Sequence, residues 1–367
     1  MTAFVPTVLR SRPTARRLKR MNPNNRDENT TAKRPHFQHS EDLLASAKNV
    51  NEHLAEFEEE QFDFHARVEI AKLSKTSPHL EDELEEELAA TARLVPHGYI
   101  ARDAHFEPIV AYFPKHIAAQ TVEESHASIK AFVTEYAQHR SLEVDDAARH
   151  SKSGYYAFWE KIFGSIHLGT WHARGHEHED PVVTLSCVRS SWSYVESVKL
   201  MNSLSLLTTE LSVLLCVLNV FAWYRSLDLY ALLCRYFPAA EWSGIGCKWE
   251  PWSCRAFLFN LQTEGHRDGS DDKHGYAAIT VFGSFTGGEF VIPELKIKFP
   301  IQPGDVIFLK SQLLIHFITA WQPKGPEGER YSVVHFNHQS IVDWVDKQCK
   351  GFKDKHYDSE PPTGSEN

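Results

Sequence analysis

The chain has 367 residues, 42 % of them hydrophobic, enough for one large domain or two smaller ones with a real core. A formal net charge of −10 excludes an overall pull towards polyanions, so any nucleic-acid contact has to come from a local basic segment. Six scattered cysteines (Cys187, Cys216, Cys234, Cys247, Cys254, Cys349) contain no Cys-x-x-Cys pair, which argues against structural zinc; with no signal peptide at the start they read as reduced, mostly buried thiols of a cytosolic or nuclear protein.

Residues 1–40 carry Arg10, Arg12, Arg16, Arg17, Lys19, Arg20, Arg26, Lys33 and Arg34 among Pro, Asn and Thr and are expected to be a disordered basic tail. Its cluster ARRLKR, 15–20, suits a nuclear import signal, a weak phosphate-binding arm or plain solvated chain; nuclear location is preferred slightly over cytoplasmic. A helical region is expected over 41–245. Composition favours helix from Glu41 to about Lys72 and across LEDELEEELAATARL, 80–94, whose acidic face reads as solvated surface. Thr121 and Glu124 form a capping-box pattern ahead of Ile129, Phe132, Val133 and Tyr136, an amphipathic helix opening at Thr121.

HARGHEHED, 172–180, places His172, His176 and His178 beside acidic residues and reads as a solvated loop. One long helical pattern runs from about Ser193 to Phe237 and stops at Pro238; it is apolar nearly all round in its second half, which marks it as buried. Its uncharged run Leu211 to Tyr224 has the length of a core helix rather than a bilayer span, so no membrane is expected as a partner.

From Trp249 the texture changes to short apolar runs separated by Gly, Pro and Asp: CRAFLFNLQ, GYAAITVFG, GGEFVIPEL, KIKFPI, GDVIFLK, LLIHFITAW and RYSVVHFN. These read as a β-sandwich or barrel of seven strands over 246–340, followed by a polar C-terminal tail, 341–367. Gly287 and Gly288 suit a tight turn rather than a phosphate cradle, because no helix follows them.

The turn HRDGSDDKHG, 266–275, carries His266 and Asp268 one residue apart, a spacing that lets both side chains point the same way. His316 follows the PGD turn that returns the chain across the sheet and supplies a third ligand. Two imidazoles and one carboxylate form a facial triad that leaves adjacent positions on Fe(II) for a bidentate 2-oxoacid and O2. Arg330 opens the last strand, and its guanidinium suits the distal carboxylate of 2-oxoglutarate. Taken singly, His316 also reads as a hydrogen-bonded core histidine and Arg330 as a surface salt-bridge partner; His274 and His335 stand as alternative ligands without the same framing.

Four segments, FLFNLQTEGHRDGSDD, VFGSFTGGEFVIPEL, PGDVIFLKSQLLIH and ERYSVVHFNHQS, resemble the oxygenase domain of Fe(II)/2-oxoglutarate-dependent dioxygenases of the TET/JBP branch as it occurs in fungi, over about 250–340. The resemblance implies an α+β chain, with a C-terminal double-stranded β-helix (jelly-roll) oxygenase core behind a mostly helical N-terminal half. It implies Fe(II) on His266, Asp268 and His316, 2-oxoglutarate anchored by Arg330 and Ser332, and O2 as oxidant. The pattern R-x-S-[VL]-V-x-[FY]-x-H is met by Arg330, Ser332, Val333, Val334, Phe336 and His338. In that family its last two positions stack on and hydrogen-bond a flipped methylated cytosine, which makes Phe336 and His338 substrate-site candidates. Asp271 stands where animal members carry a base-contacting asparagine; a carboxylate accepts from the exocyclic amine of cytosine, so it joins the substrate set. The cysteine-rich zinc-binding region of animal members has no counterpart here.

The expected activity is oxidation of 5-methylcytosine or thymine in nucleic acid, with DNA as partner. Hydroxylation of a protein side chain or small molecule is the alternative, and a non-catalytic binding protein the third reading. The sequence fixes no oligomeric state.

Overall fold

The computed structural model describes residues 50–353 apart from 53, 65, 67–79, 140, 141, 143–161, 174 and 248. The expected basic tail with its ARRLKR cluster, and the chain beyond 353, lie outside the described residues. In chain order the first elements are β1 (Glu58–Gln61), α1 (Asp82–Thr91), β2 (Arg93–Leu94), β3 (Tyr99–Arg102), β4 (Pro108–Phe113), α2 (Ala119–His139), β5 (Gly164–Trp171) and β6 (Val182–Val183). Four helices follow, α3 (Leu185–Val188), α4 (Ser191–Ser203), α5 (Ser205–Leu218) and α6 (Val220–Tyr236). The rest is β7 (Cys254–Phe259), β8 (Ala277–Gly283), β9 (Phe285–Gly287), β10 (Phe290–Ile292), β11 (Ile297–Phe299), β12 (Val306–Leu309), β13 (Phe317–Ile318), β14 (Trp321–Pro323), β15 (Arg330–Phe336) and α7 (Gln339–Cys349).

Each of the seven expected runs contains a strand, and LLIHFITAW is divided between β13 and β14. A nine-stranded sheet has the order β1-β3-β4-β12-β8-β15-β7-β5-β6, a second has the order β13-β10-β11-β2, and β14 pairs with β9. Side-chain alternation makes the large sheet the middle layer. Val110, Tyr112, Ile279, Val281, Ile307 and Leu309 point to the second sheet and meet Phe290, Ile292, Ile297 and Phe299. Their neighbours Ala111, Phe113, Ala278, Phe282 and Phe308 point the other way, into Phe132 and Val133 of α2 and Leu207 and Leu211 of α5. Two facing sheets with helices on the outer side form a double-stranded β-helix core.

The sheet is wider than 246–340. β3, β4 and β5 come from the stretch expected to be helical, and β1 lies where helix was expected from Glu41 to Lys72. PIVAYF, the whole of β4, is buried at every position, and a strand covered on both faces shows no alternation to read.

The pattern from Ser193 to Phe237 is three helices, not one. It breaks at Leu204, which nothing in its apolar surroundings announces, and at Asn219, whose side chain accepts the Ala222 N–H at 3.0 Å and caps α6. Gln339–Cys349 is likewise no polar tail: Ile341, Val342, Trp344 and Val345 repeat with helical spacing and bury against Leu229 and Leu233 of α6. All six cysteines are free. No single helix among the described residues is long and apolar enough to cross a membrane.

The capping box at Thr121 is not used. α2 starts at Ala119, and its free N–H end is satisfied from another helix: Glu210 of α5 accepts from Ala118 N–H at 2.9 Å and from the Thr121 hydroxyl at 2.5 Å. Replacing Glu210 by Ala leaves the Ala118 N–H to solvent and the buried Thr121 hydroxyl without this acceptor, and is expected to cost about 1–2 kcal/mol, the usual range for a lost cap, read as a lower urea midpoint at unchanged slope.

Candidate metal centre

Between β7 and β8 the chain makes the turn that carries His266 and Asp268, and its conformation is held by backbone bonds. His266 N–H donates to the His316 carbonyl at 3.2 Å, and His316 N–H returns a bond to the His266 carbonyl at 2.9 Å. Asp268 N–H donates to the Ser311 carbonyl at 3.0 Å. The three side chains are left to converge: their ligand atoms all lie within 4.8 Å of one another, with Asp268 Oδ1 3.5 Å from His266 Nε2 and Oδ2 3.6 Å from His316 Nε2.

The tautomers follow from the partners. Nδ1 of His266 lies 2.8 Å from the Glu264 carbonyl and Nδ1 of His316 lies 3.1 Å from the Leu314 carbonyl. A carbonyl only accepts, so each Nδ1 carries the proton and each Nε2 turns a lone pair to the centre. Phe290 stacks on His316 at 5.5 Å between centroids and fixes that ring. Two neutral imidazole nitrogens and one carboxylate on a rigid scaffold fit Fe(II).

Two elements outside the β-domain clamp the turn. Glu85 of α1, part of the acidic run expected to be solvated, is buried and accepts the Gly265 N–H. Arg225 of α6 makes a bidentate, buried pair with Asp272, with Nη2 to Oδ1 at 2.8 Å. Burial alone would raise the Asp272 carboxyl, but the Arg225 charge and hydrogen bonds outweigh it and hold the group below its ordinary range.

β15 sorts the remaining residues by parity. Tyr331 and Val333 join the helical side of the core, whereas Val334 packs towards the second sheet; Arg330, Ser332 and Phe336 share that second face. His335 falls on the helical side, fully buried, with Nε2 3.4 Å from the Thr208 hydroxyl and its ring 5.2 Å from Trp252. Burial, then the Arg255 charge, push its pKa well down: it is a core histidine, not a ligand. His274 is not in the converging group either.

Arg330 is 3 % exposed, its Nη1 donating to Ser332 Oγ at 3.0 Å and its guanidinium 5.3 Å from the Phe285 ring centre. Asn260 Oδ1 accepts the Arg330 N–H at 2.9 Å. Gly288, at φ 70°, clears the side chain: a Cβ there would sit 3.1 Å from Arg330 Nε. A buried planar cation beside a hydroxyl is suited to a dicarboxylate's far end.

Asp271 and His338 are joined by an isolated backbone bridge, and the Ser311 hydroxyl donates to Asp271 Oδ2 at 2.6 Å. Phe336 and His338 lie 5.3 Å apart between ring centres. Burial, with His167 adding to it, pushes His338 down to about 4, so the ring is neutral at pH 7. In the histidine-rich loop His176 and His178 are exposed as expected, but His172 is buried with Nδ1 3.0 Å from Ser340 Oγ. Sequence reading assigns no role to Glu85, one acid in an acidic run, or to Asn260, although it lies in FLFNLQTEGHRDGSDD; His167 and Trp171 sit in no motif, and only strand parity in the folded sheet exposes them.

Residues 248–339 match the family model Tet_JBP, the oxygenase domain of the 2OGFeDO superfamily. Among solved structures the chain is similar to NgTET1 in complex with 5mC DNA, with a TM-score of 0.51 and 17 % identity, covering 82 % of this chain and 89 % of that one. At that identity the likeness is one of fold. No match was found among the curated proteins.

Asp268→Ala is expected to abolish the thermal stabilisation that anaerobic Fe(II) or Co(II) gives the wild type, while Glu85→Gln, one step removed from the ligands, weakens metal affinity by about 10–100-fold. A second expectation concerns the anchor of β15. Burial would raise the Glu329 carboxyl, but hydrogen bonds from His126, Lys130 and Tyr331 bring it down to about 2. A lowered carboxylate stabilises the fold above its unfolded value near 4.5 and loses that contribution as pH falls towards 2. Glu329→Gln should therefore cost on the order of 3 kcal/mol at pH 7, with the difference in urea midpoint from wild type vanishing between about pH 4.5 and pH 2.

Proposed function

We propose a reaction for a chain whose residues 248–339 are an oxygenase domain of the Tet_JBP family, and which is accordingly a 2-oxoglutarate- and iron-dependent dioxygenase: it oxidises the methyl group of 5-methylcytosine or thymine in nucleic acid. One methyl C–H bond becomes C–OH, O2 supplies the oxygen atom, and 2-oxoglutarate is converted to succinate and CO2. The observation that carries the reading is the convergence of His266, Asp268 and His316 within 4.8 Å on a double-stranded β-helix core. The Arg330–Ser332 pair and the Phe336–His338 pair complete it from the following strand.

Iron bound at this centre supplies the oxidising power drawn from O2 and the 2-oxoacid. The side chains position everything else. Arg330 and Ser332 hold the distal carboxylate of 2-oxoglutarate and so fix how its other end approaches the ligands. Phe336 offers a π-face to a base taken out of its stack, and neutral His338 offers one ring nitrogen as donor or acceptor to its edge. Asp271, oriented by the Ser311 hydroxyl, accepts from an exocyclic amine, which favours cytosine over thymine. The solved structure that this fold resembles holds 5mC DNA, in keeping with this substrate. The net charge of −10 favours a second reading, hydroxylation of a protein side chain or small molecule. On the first reading the ARRLKR cluster serves nuclear import and adds a weak hold on phosphates.

Incubation with Fe(II), ascorbate, 2-oxoglutarate and methylated DNA, followed by mass spectrometry of the nucleosides, is expected to show 5-hydroxymethylcytosine and succinate in equal amounts. The Asp268→Ala protein should form neither, and Arg330→Ala should need at least tenfold more 2-oxoglutarate for half-maximal rate. Succinate formation that no methylated oligonucleotide stimulates would count against nucleic acid and for the second reading.

A further inference from the structure

The second sheet packs over β3, β4, β12 and β8, and no residue of β7 or β5 belongs to the core between the sheets. The inner face of β7 and β5 therefore lies beyond that cover, and β15, whose Val334 still packs against it, forms its edge. Burial along these strands agrees. On β5 Ile166 and Leu168 enter the helical core, and of its eight residues only His167 and Trp171, on the opposite face, are half-buried. On β7 the half-buried residues are Ala256 and Leu258, and on β15 Val334, all of the same parity. Five partly open side chains on three adjacent strands thus form one floor beside the metal turn.

Register gives that floor its shape. Gly169 is paired with Cys254, which is paired with Phe336; His167 is paired with Ala256, which is paired with Val334. In the row that ends at Phe336 the far position has no side chain, and it can have none, because a Cβ on Gly169 (φ 148°) would lie 2.3 Å from the Ser253 carbonyl oxygen. On this face four rings touch in a circuit. Phe336 meets His338 at 5.3 Å, His338 meets Trp171 at 5.6 Å, Trp171 meets His167 at 5.1 Å and His167 meets Phe336 at 6.5 Å.

Resting on the reading above, we infer that Trp171 and His167 are specificity-determining residues that contact the substrate: with Phe336 and His338 they form an aromatic platform that takes a planar heteroaromatic ring, a pyrimidine base, and rejects non-planar side chains. The argument is one of exposure and chemistry. Large rings on a core face are normally covered, whereas these two keep part of their area open on the face shared by the other site residues. An indole and an imidazole offer π-surface and ring N–H groups, the two means by which bases are held without a fixed sequence.

The test is substrate-stimulated 2-oxoglutarate turnover by the full chain, with a methylcytosine oligonucleotide as probe, for wild type, His167→Ala, Trp171→Ala and Trp171→Phe. The alanine variants should raise KM for the oligonucleotide about tenfold, in line with the loss of one stacking contact. KM for 2-oxoglutarate and turnover without oligonucleotide should stay at wild-type values, and Trp171→Phe should recover most of the loss. Unchanged KM for the oligonucleotide in both alanine variants overturns the platform while leaving nucleic acid as substrate intact. Loss of oligonucleotide-independent turnover would make the two rings structural and also overturns it. A wild type that no oligonucleotide stimulates overturns the platform together with the base-oxidation reading.

Discussion

The two hydrogen bonds between the backbones of His266 and His316 are the constraint on which the site depends. A metal ligand cannot hold its own position through the atom it presents, so the main chain has to do it. Here the pair of backbone hydrogen bonds sets the distance between the imidazoles, and each ring is then turned by its Nδ1 hydrogen bond to the carbonyl two residues earlier, Glu264 for one and Leu314 for the other. Bonds of this kind each contribute only about 0.5–1.5 kcal/mol net, but leaving them unmade in a buried turn costs more, so the turn has few competing shapes. The triad is thereby pre-organised by contacts that do not involve the ion.

That turn is also not self-sufficient. Glu85 and Arg225 reach it from α1 and α6, and both are buried, so neither charge is tolerated unless its partner is in place. β3, β4 and β5 complete the sheet on which it rests. The segment that matches the family model, 248–339, therefore carries the converging triad while the preceding half helps to hold its geometry.

The converging triad and the position of Arg330 are legible because they lie in short, spaced polar residues set among strands: His-x-Asp, the PGD turn before His316, and an arginine at the head of a strand. What stayed hidden did so for physical reasons. β4 is apolar throughout and shows no period; the break at Leu204 replaces one apolar residue by another; Glu85 is one acid in an acidic run, and only the fold shows which of them faces inward. Thr121 shows the opposite failure, a correct local pattern that a tertiary partner, Glu210, overrides. The helix 339–349 was masked by the polar residues that follow it, although its own spacing was amphipathic.

On β15 the roles of neighbouring residues are separated by parity alone. Arg330, Ser332 and Phe336 face away from the helices, while His335 faces them, so a slip of one residue would turn the guanidinium in among α5 side chains and bring the wrong histidine to the opposite face. The register is therefore pinned where the strand begins. Asn260 receives the Arg330 N–H, Glu329 ties the preceding residue to His126 and Lys130 of α2, and Gly283 on β8 lies so close that any Cβ would be 2.1 Å from the Glu329 carbonyl oxygen. These three contacts surround Arg330 without touching His266, Asp268 or His316. They decide which side chains of the final strand share a face with the metal turn, and with it which chemistry the turn can reach.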